Sequence, residues 1–213
     1  MSPEDLRSAL RLYLVADPDQ LIPGGEGAIA LGLKGGVTCI QYRGKSGTDR
    51  EHLIKARALM GLARHFDVPF LINDRIDIAM ALGADGVHLG VDDMPVNFAR
   101  QLCGPDFIIG YSPETDDQVR LAVAHGASYL GVGPVFGTQT KADAGPAIGL
   151  DRITAVAEMA QIPVIGIGGI TPQNAGSVVA AGACGVAVVS AISKATDPEQ
   201  AARDLRAAVD ESL

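Results

Sequence analysis

Short apolar runs alternate with longer amphipathic segments from one end of the chain to the other. The runs at 12–15, 38–42, 69–72, 86–89, 107–110, 129–132, 163–167 and 186–189 read as buried strands. Between them, helical patterning predicts helices over stretches such as 51–66, 116–125, 151–159 and 173–181. An internal echo supports a repeated unit: Ala81-Leu82-Gly83-Ala84-Asp85-Gly86-Val87, Ala124-His125-Gly126-Ala127-Ser128-Tyr129-Leu130 and Ala180-Ala181-Gly182-Ala183-Cys184-Gly185-Val186. Each closes a helix on a glycine and enters a strand. Eight βα units in 213 residues predict an α/β fold, a (β/α)8 TIM barrel near its minimum length, with 1–213 as one domain. The alternative is an open doubly wound sheet. Its glycine-rich fingerprint is missing after the first strand, where Val15-Ala16-Asp17-Pro18 stands.

In such a barrel chemistry collects at the C-terminal ends of the strands, and the polar residues of this chain concentrate there. The second strand ends in Gln41-Tyr42-Arg43-Gly44-Lys45. Period-two alternation places Gln41, Arg43 and Lys45 on one face with Cys39. Taken alone, this stretch fits a solvated strand end and an anion site equally well. The other strands decide: the third ends in Asn73-Asp74-Arg75, the fourth runs into Asp92-Asp93, and the fifth ends in Ser112. The sixth opens a loop carrying Thr138-Gln139-Thr140-Lys141, the seventh ends in Gly168-Gly169-Ile170-Thr171, and the eighth in Ser190. Seven polar strand ends in register are hard to explain by solvation.

Asp74 and Asp93, with Asn73 beside them, are hard oxygen donors suited to Mg²⁺, which takes one or two carboxylates and completes its shell with water and phosphate. The competing role is structural, with Asp74 capping a helix from Ile76 and Asp93 one after Pro95; Asp92 is assigned to the structural role. No His/Cys cluster suggests Zn²⁺ or iron. The loops after the seventh and eighth strands, 165–172 and 188–191, form the pair that binds phosphate in many barrels. Segment 134–149 is long for a βα loop and predicts a lid bearing Thr138, Thr140 and Lys141. His52, His65 and His125 are expected on helix surfaces, and His88 as a hydrogen-bonded core residue. With cations, an acid pair and phosphate loops but no evident general base, the site suits chemistry done by positioning and charge stabilisation of a phosphate-bearing group.

Composition narrows the class. Apolar residues make up 47 % of the chain, enough for a sizeable core, while aromatics at 4 % and no Trp offer no stacking surface for bases. A net charge of −8 argues against nucleic acid as a partner. Cys39, Cys103 and Cys184 fit no disulfide framework. The N-terminal stretch has no apolar targeting core and no run approaches membrane length. A cytoplasmic protein acting on small phosphorylated molecules, without membrane or nucleic-acid partners, is expected; oligomeric state is not legible.

Several motifs, in order, resemble the thiamine-phosphate synthase family. They are Gln41-x-Arg43-x-Lys45, Ile72-Asn73-Asp74-Arg75, Gly86-Val87-His88-Leu89-Gly90-x-Asp92-Asp93-Met94-Pro95, Ile109-Gly110-x-Ser112, Gly131-x-Gly133-Pro134-Val135-Phe136-x-Thr138-x-Thr140-Lys141 and Ile167-Gly168-Gly169-Ile170-Thr171. The similarity spans about 12–193. It implies a (β/α)8 transferase joining hydroxymethylpyrimidine diphosphate to hydroxyethylthiazole phosphate, with Mg²⁺ as cofactor and pyrophosphate released. By position, it gives Gln41, Arg43, Lys45, Asn73, Ser112 and Lys141 to the pyrimidine diphosphate, with Arg43, Lys45 and Lys141 as the catalytic cations. It gives Asp74 and Asp93 to the metal, and Thr138, Thr140, Gly169, Val189 and Ser190 to the thiazole phosphate. Two positions depart from the family pattern: Gly44 stands where an acid is usual, and Pro113-Glu114 where a small residue and histidine are common. The related thiazole tautomerase carries histidine at the place of Pro134 and lacks the acid after Asn73. A non-catalytic phosphate-binding barrel is the remaining alternative.

Overall fold

The protein's structure, a computed structural model, describes residues 1–17, 25–138 and 145–213. Helix α1 (Pro3–Ala9) precedes β1 (Leu12–Ala16), and the chain then alternates through α2 (Gly25–Lys34), β2 (Cys39–Tyr42), α3 (Asp49–His65), β3 (Phe70–Asn73), α4 (Ile76–Leu82) and β4 (Gly86–Leu89). It continues through α5 (Val96–Cys103), β5 (Ile108–Tyr111), α6 (Asp116–Ala124), β6 (Tyr129–Val132), α7 (Gly149–Ala160), β7 (Val164–Ile167), α8 (Pro172–Ala180), β8 (Gly185–Val188), α9 (Ser190–Ser193) and α10 (Pro198–Asp210). All eight strands pair in parallel, and β1 bonds both β2 and β8, closing the barrel. The (β/α)8 expectation is borne out, with every strand end within one residue of its predicted place.

Local signals explain the element ends. Thr48 with Glu51, and Thr115 with Gln118, form reciprocal capping boxes that start α3 and α6. The echoed glycines Gly83, Gly126 and Gly182 all take positive φ (66°, 87° and 108°), the left-handed turn that ends a helix before the next strand. Helix α1 escaped the periodicity because it buries no residue; it is fixed by a Ser2–Asp5 capping box and Pro3 in its first turn.

The strands sort their side chains with period two. Leu14, Ile40, Ile72, Val87, Ile109, Leu130, Val164 and Val186 face the helix layer. Tyr13, Cys39, Leu71, Ile108, Tyr129, Ile165 and Ala187 fill the barrel interior. Toward the C-terminal ends that interior turns polar, and the site begins there.

Candidate active site

A cavity of about 320 Å³ opens at the C-terminal ends of the strands, within the size range of small-molecule sites. Eight predicted site residues line it: Gln41 and Arg43 from β2 and its extension, Asn73 from β3, Ser112 after β5, Thr138, Gly169, and Val189 with Ser190 after β8. Lys45, Asp74 and Asp93 stand beside the cavity rather than in its lining. Thr140 and Lys141 lie outside the described residues, as does most of the expected lid apex.

The basic end of β2 is held by acids. The Arg43 backbone N–H donates to the Ala16 carbonyl at 2.9 Å, carrying the β1–β2 pairing one step past the strand. The Arg43 guanidinium Nη1 donates to Asp17 Oδ2 at 2.7 Å. Asp17 is 5 % exposed and lines the cavity. Sequence reasoning missed it, although it continues the inward parity of Tyr13 and Val15. Lys45 Nζ donates to Asp74 Oδ2 at 2.6 Å across to the next strand end.

Gly44 has a packing cause. The Tyr42 hydroxyl and His52 Nδ1 are hydrogen-bonded at 2.8 Å directly over it. A Cβ at residue 44 would lie 2.5 Å from His52 Nδ1 and 2.6 Å from the Tyr42 oxygen. The expectation that His52 is a surface residue is corrected: it is buried on the inner face of α3, in line with Ala56, Leu59, Met60 and Ala63. His88 is hydrogen-bonded as expected, with Nδ1 at 2.8 Å from the Tyr129 hydroxyl and Nε2 at 2.8 Å from Ser112 Oγ, but it is half-buried and lines the cavity rather than the core.

Neither aspartate of the acid pair caps a helix. The residue preceding α4 is Arg75, that preceding α5 is Pro95, and neither helix start has a side-chain cap; exposed Asp92 therefore does not cap α5 either. Asp74 sits at φ 62°, a left-handed conformation that short polar side chains tolerate, and its N–H donates to the His88 carbonyl at 2.8 Å. Asp93 Oδ2 accepts the Gly90 N–H at 2.6 Å. Burial pushes the Asp93 carboxyl above the ordinary range and interaction with Asp74 adds to it, while the Gly90 N–H and Lys45 pull the other way. A carboxyl whose ionisation is opposed by burial, and then by a neighbouring carboxylate, fits a hard divalent cation, whose charge favours both as anions. Among the described residues no third His, Cys, Asp or Glu joins them. That donor set matches Mg²⁺, which keeps most positions for water and phosphate oxygens.

The last two strand ends supply backbone rather than charge. Gly168 and Gly169 take φ 99° and 65°, and a Cβ on either would run into the segment from Pro134 to Gly137 at 2.6 Å. They are glycines for conformation and for close packing against the β6 loop, and Gly169 is held by Asn174 Nδ2, which donates to its carbonyl at 3.0 Å. Pro113 and Glu114, the second departure, both line the cavity, and Glu114 is fixed through its N–H to Gln118 Oε1 at 2.7 Å.

Residues 12–192 match the family described as thiamine monophosphate synthase. A thiamine-phosphate synthase of Natronomonas pharaonis is 50 % identical over 181 residues, covering 84 % of this chain and 84 % of the relative. One from Roseiflexus sp. (strain RS-1) is 46 % identical over 185 residues, 87 % of this chain and 78 % of the relative. The solved thiamine phosphate pyrophosphorylase from Pyrococcus furiosus superposes with a TM-score of 0.88 at 40 % identity, covering 98 % of this chain and 99 % of that one. A 3-hexulose-6-phosphate synthase from Salmonella typhimurium, at 19 % identity and TM-score 0.74, shares the fold alone. A barrel with cations, an acid pair and glycine turns at its strand ends, matched along nearly its whole length, belongs to the thiamine-phosphate synthase family of transferases.

Proposed function

We propose that this chain couples hydroxymethylpyrimidine diphosphate with hydroxyethylthiazole phosphate, in a Mg²⁺-dependent reaction in the cytoplasm, giving thiamine phosphate and pyrophosphate. The observation that carries the reading is the end of β2, where Arg43 and Lys45 are each held by an aspartate at the mouth of the cavity. Arg43 has four further N–H groups beyond the one given to Asp17, so it can keep that partner and still grip a diphosphate. Lys45, half exposed, can turn from Asp74 to a phosphate oxygen without desolvation of a new charge. Asp74 and Asp93 would hold Mg²⁺, which when bound supplies positive charge to the leaving diphosphate.

In this reading the C–O bond to the diphosphate breaks first, leaving a cation on the pyrimidine methylene, which the thiazole nitrogen captures. The protein's task is to stabilise negative charge on the departing group, and Arg43, Lys45 and Lys141 do so. Gln41, Asn73 and Ser112 orient the pyrimidine. Thr138 and Thr140, with Gly169, Val189 and Ser190, seat the thiazole phosphate so that its ring nitrogen faces the cation. No protein base is needed for capture. Pro134, at the position where the tautomerase carries histidine, lines the cavity and offers no proton-transfer group. The test is incubation of purified protein with both substrates, with and without Mg²⁺; formation of thiamine phosphate only with Mg²⁺ is expected, and none under either condition would sink the proposal.

A further inference from the structure

Five polar side chains form an unbroken line across the barrel; Gln41, Tyr13, His88 and Ser112 line the cavity, and Tyr129 lies behind them. Gln41 Nε2 donates to the Tyr13 hydroxyl at 2.8 Å, and the Tyr13 and Tyr129 hydroxyls lie 2.9 Å apart. The Tyr129 hydroxyl is 2.8 Å from His88 Nδ1, and His88 Nε2 is 2.8 Å from Ser112 Oγ. Tyr13 and Tyr129 are 1 % and 0 % exposed. The line starts on β2, ends just past β5, and joins two residues that the proposed function gives to the pyrimidine. The neighbouring strands leave room for it. A Cβ on Gly110 would stand 2.4 Å from the Tyr129 oxygen and 2.5 Å from His88 Nδ1, and one on Gly131 3.0 Å from His88 Cε1.

Hydrogen counting gives the line a direction. Burial pushes both tyrosine hydroxyls well above their ordinary range, so each keeps its one hydrogen. Tyr13 already accepts from Gln41, and among the described residues the Tyr129 oxygen is the acceptor open to its hydrogen. Tyr129 must then donate to His88 Nδ1, which leaves the ring hydrogen on Nε2, and Nε2 donates to Ser112. With the Gln41 amide turned Nε2 toward Tyr13, a line run the other way would leave the buried Tyr13 hydrogen facing amide hydrogens with nothing to accept it, at a cost of about 1–3 kcal/mol. Bonds aligned in one sense also polarise one another favourably.

We propose that this line fixes His88 as its Nε2–H tautomer and thereby turns the Ser112 hydroxyl into a hydrogen-bond donor aimed at the cavity. The inference rests on the proposed function for the identity of the ligand: a heteroaromatic ring presenting an unprotonated ring nitrogen is accepted there, and one presenting N–H is not. Tyr13, Tyr129 and His88 are then positioning residues for specificity.

Two measurements test it. In protein labelled with ¹⁵N-histidine, long-range proton–nitrogen NMR correlation reads the tautomer of each ring, with His88 assigned by its loss in His88→Gln. Protonation at Nε2 with a bare Nδ1 is expected; the opposite tautomer or a doubly protonated ring overturns the proposal. This readout needs no substrate, so it stands or falls apart from the synthase reading. Second, Tyr129 does not line the cavity, and Tyr129→Phe removes the oxygen that sets His88 and that accepts the Tyr13 hydrogen. Its KM for the pyrimidine diphosphate should rise roughly tenfold, the worth of one neutral hydrogen bond, with KM for the thiazole phosphate unchanged. An unchanged pyrimidine KM, or equal rises for both substrates, would overturn it.

Discussion

Replacing Gly44 by alanine tests whether the departure at this position is imposed by packing. The new Cβ would stand 2.5 Å from His52 Nδ1, 2.6 Å from the Tyr42 oxygen and 2.7 Å from His52 Cε1, against an ordinary separation of about 3.5–4.0 Å. Neither ring can swing away, because Tyr42 is 3 % and His52 7 % exposed. Relief must come from breaking their 2.8 Å hydrogen bond or from shifting α3 against β2. Overpacking a core costs about 1–3 kcal/mol, and stranding a buried polar group costs about 1–3 kcal/mol. A central value of about 3 kcal/mol corresponds, for a chain of this size, to a Tm lower by roughly 6–12 °C. The assay is thermal unfolding followed by circular dichroism, run in the wild-type and His52→Ala backgrounds. With the imidazole gone, the Tyr42 ring can move into the space it leaves, and Gly44→Ala should cost less than about 1 kcal/mol, a coupling expected only of groups in contact. A Tm within about 1 °C of wild type, or an equal loss in both backgrounds, would refute the packing account. If it holds, the acid usual in the family cannot be restored at residue 44 unless His52 is replaced as well.

Arg43→Ala should lower kcat/KM by about 10²–10³ while leaving the far-UV spectrum intact; unchanged turnover would remove Arg43 from the site. Exhaustive chelation should abolish product formation and added Mg²⁺ restore it, with no loss of helix, because Lys45 and the Gly90 N–H hold the two carboxylates without a metal; turnover that survives chelation contradicts the role given to Asp74 and Asp93. Ser190→Arg should raise KM for the thiazole phosphate at least about tenfold, the effect of about 1.4 kcal/mol, and spare the pyrimidine diphosphate; parallel effects on both substrates would place Ser190 elsewhere. Calorimetric titration of inorganic pyrophosphate should show affinity at least about fivefold higher with Mg²⁺ present, a modest coupling between linked sites; identical affinities would show that the acid pair and the β2 cations do not act together.

What could be read from the sequence depended on how local its cause was. Strand positions and their polar ends follow from period-two alternation and from glycine at helix ends, so all eight strands and the grouping of Gln41, Arg43, Asn73 and Ser112 were accessible without coordinates. The partner of Arg43 was not, because only the pairing of β1 with β2 brings Asp17, 26 residues away in sequence, beside it. His52 was legible in principle: it shares the helical face of Ala56, Leu59, Met60 and Ala63, and a polar side chain on an apolar stripe asks for a buried partner. The line from Gln41 to Ser112 was beyond reach. Its central contact joins Tyr13 and Tyr129, which lie 116 residues apart, and from sequence each looks like an ordinary aromatic in a buried strand.

Charge, counted locally among the described residues, bears on the role proposed for Asp74 and Asp93. The chain carries a net −8, and each cation at the end of β2 is already matched by one aspartate, Arg43 by Asp17 and Lys45 by Asp74. Resting, this corner is close to neutral, and with Asp93 added it leans negative. From these side chains alone a diphosphate would meet hydrogen-bond donors but little net attraction. Releasing Lys45 from Asp74 would free one positive charge only by leaving a second bare carboxylate beside Asp93, whose ionisation burial and Asp74 already oppose. In the proposed reading a divalent cation on the two aspartates would resolve the conflict: it would neutralise the pair and let Lys45 turn to phosphate.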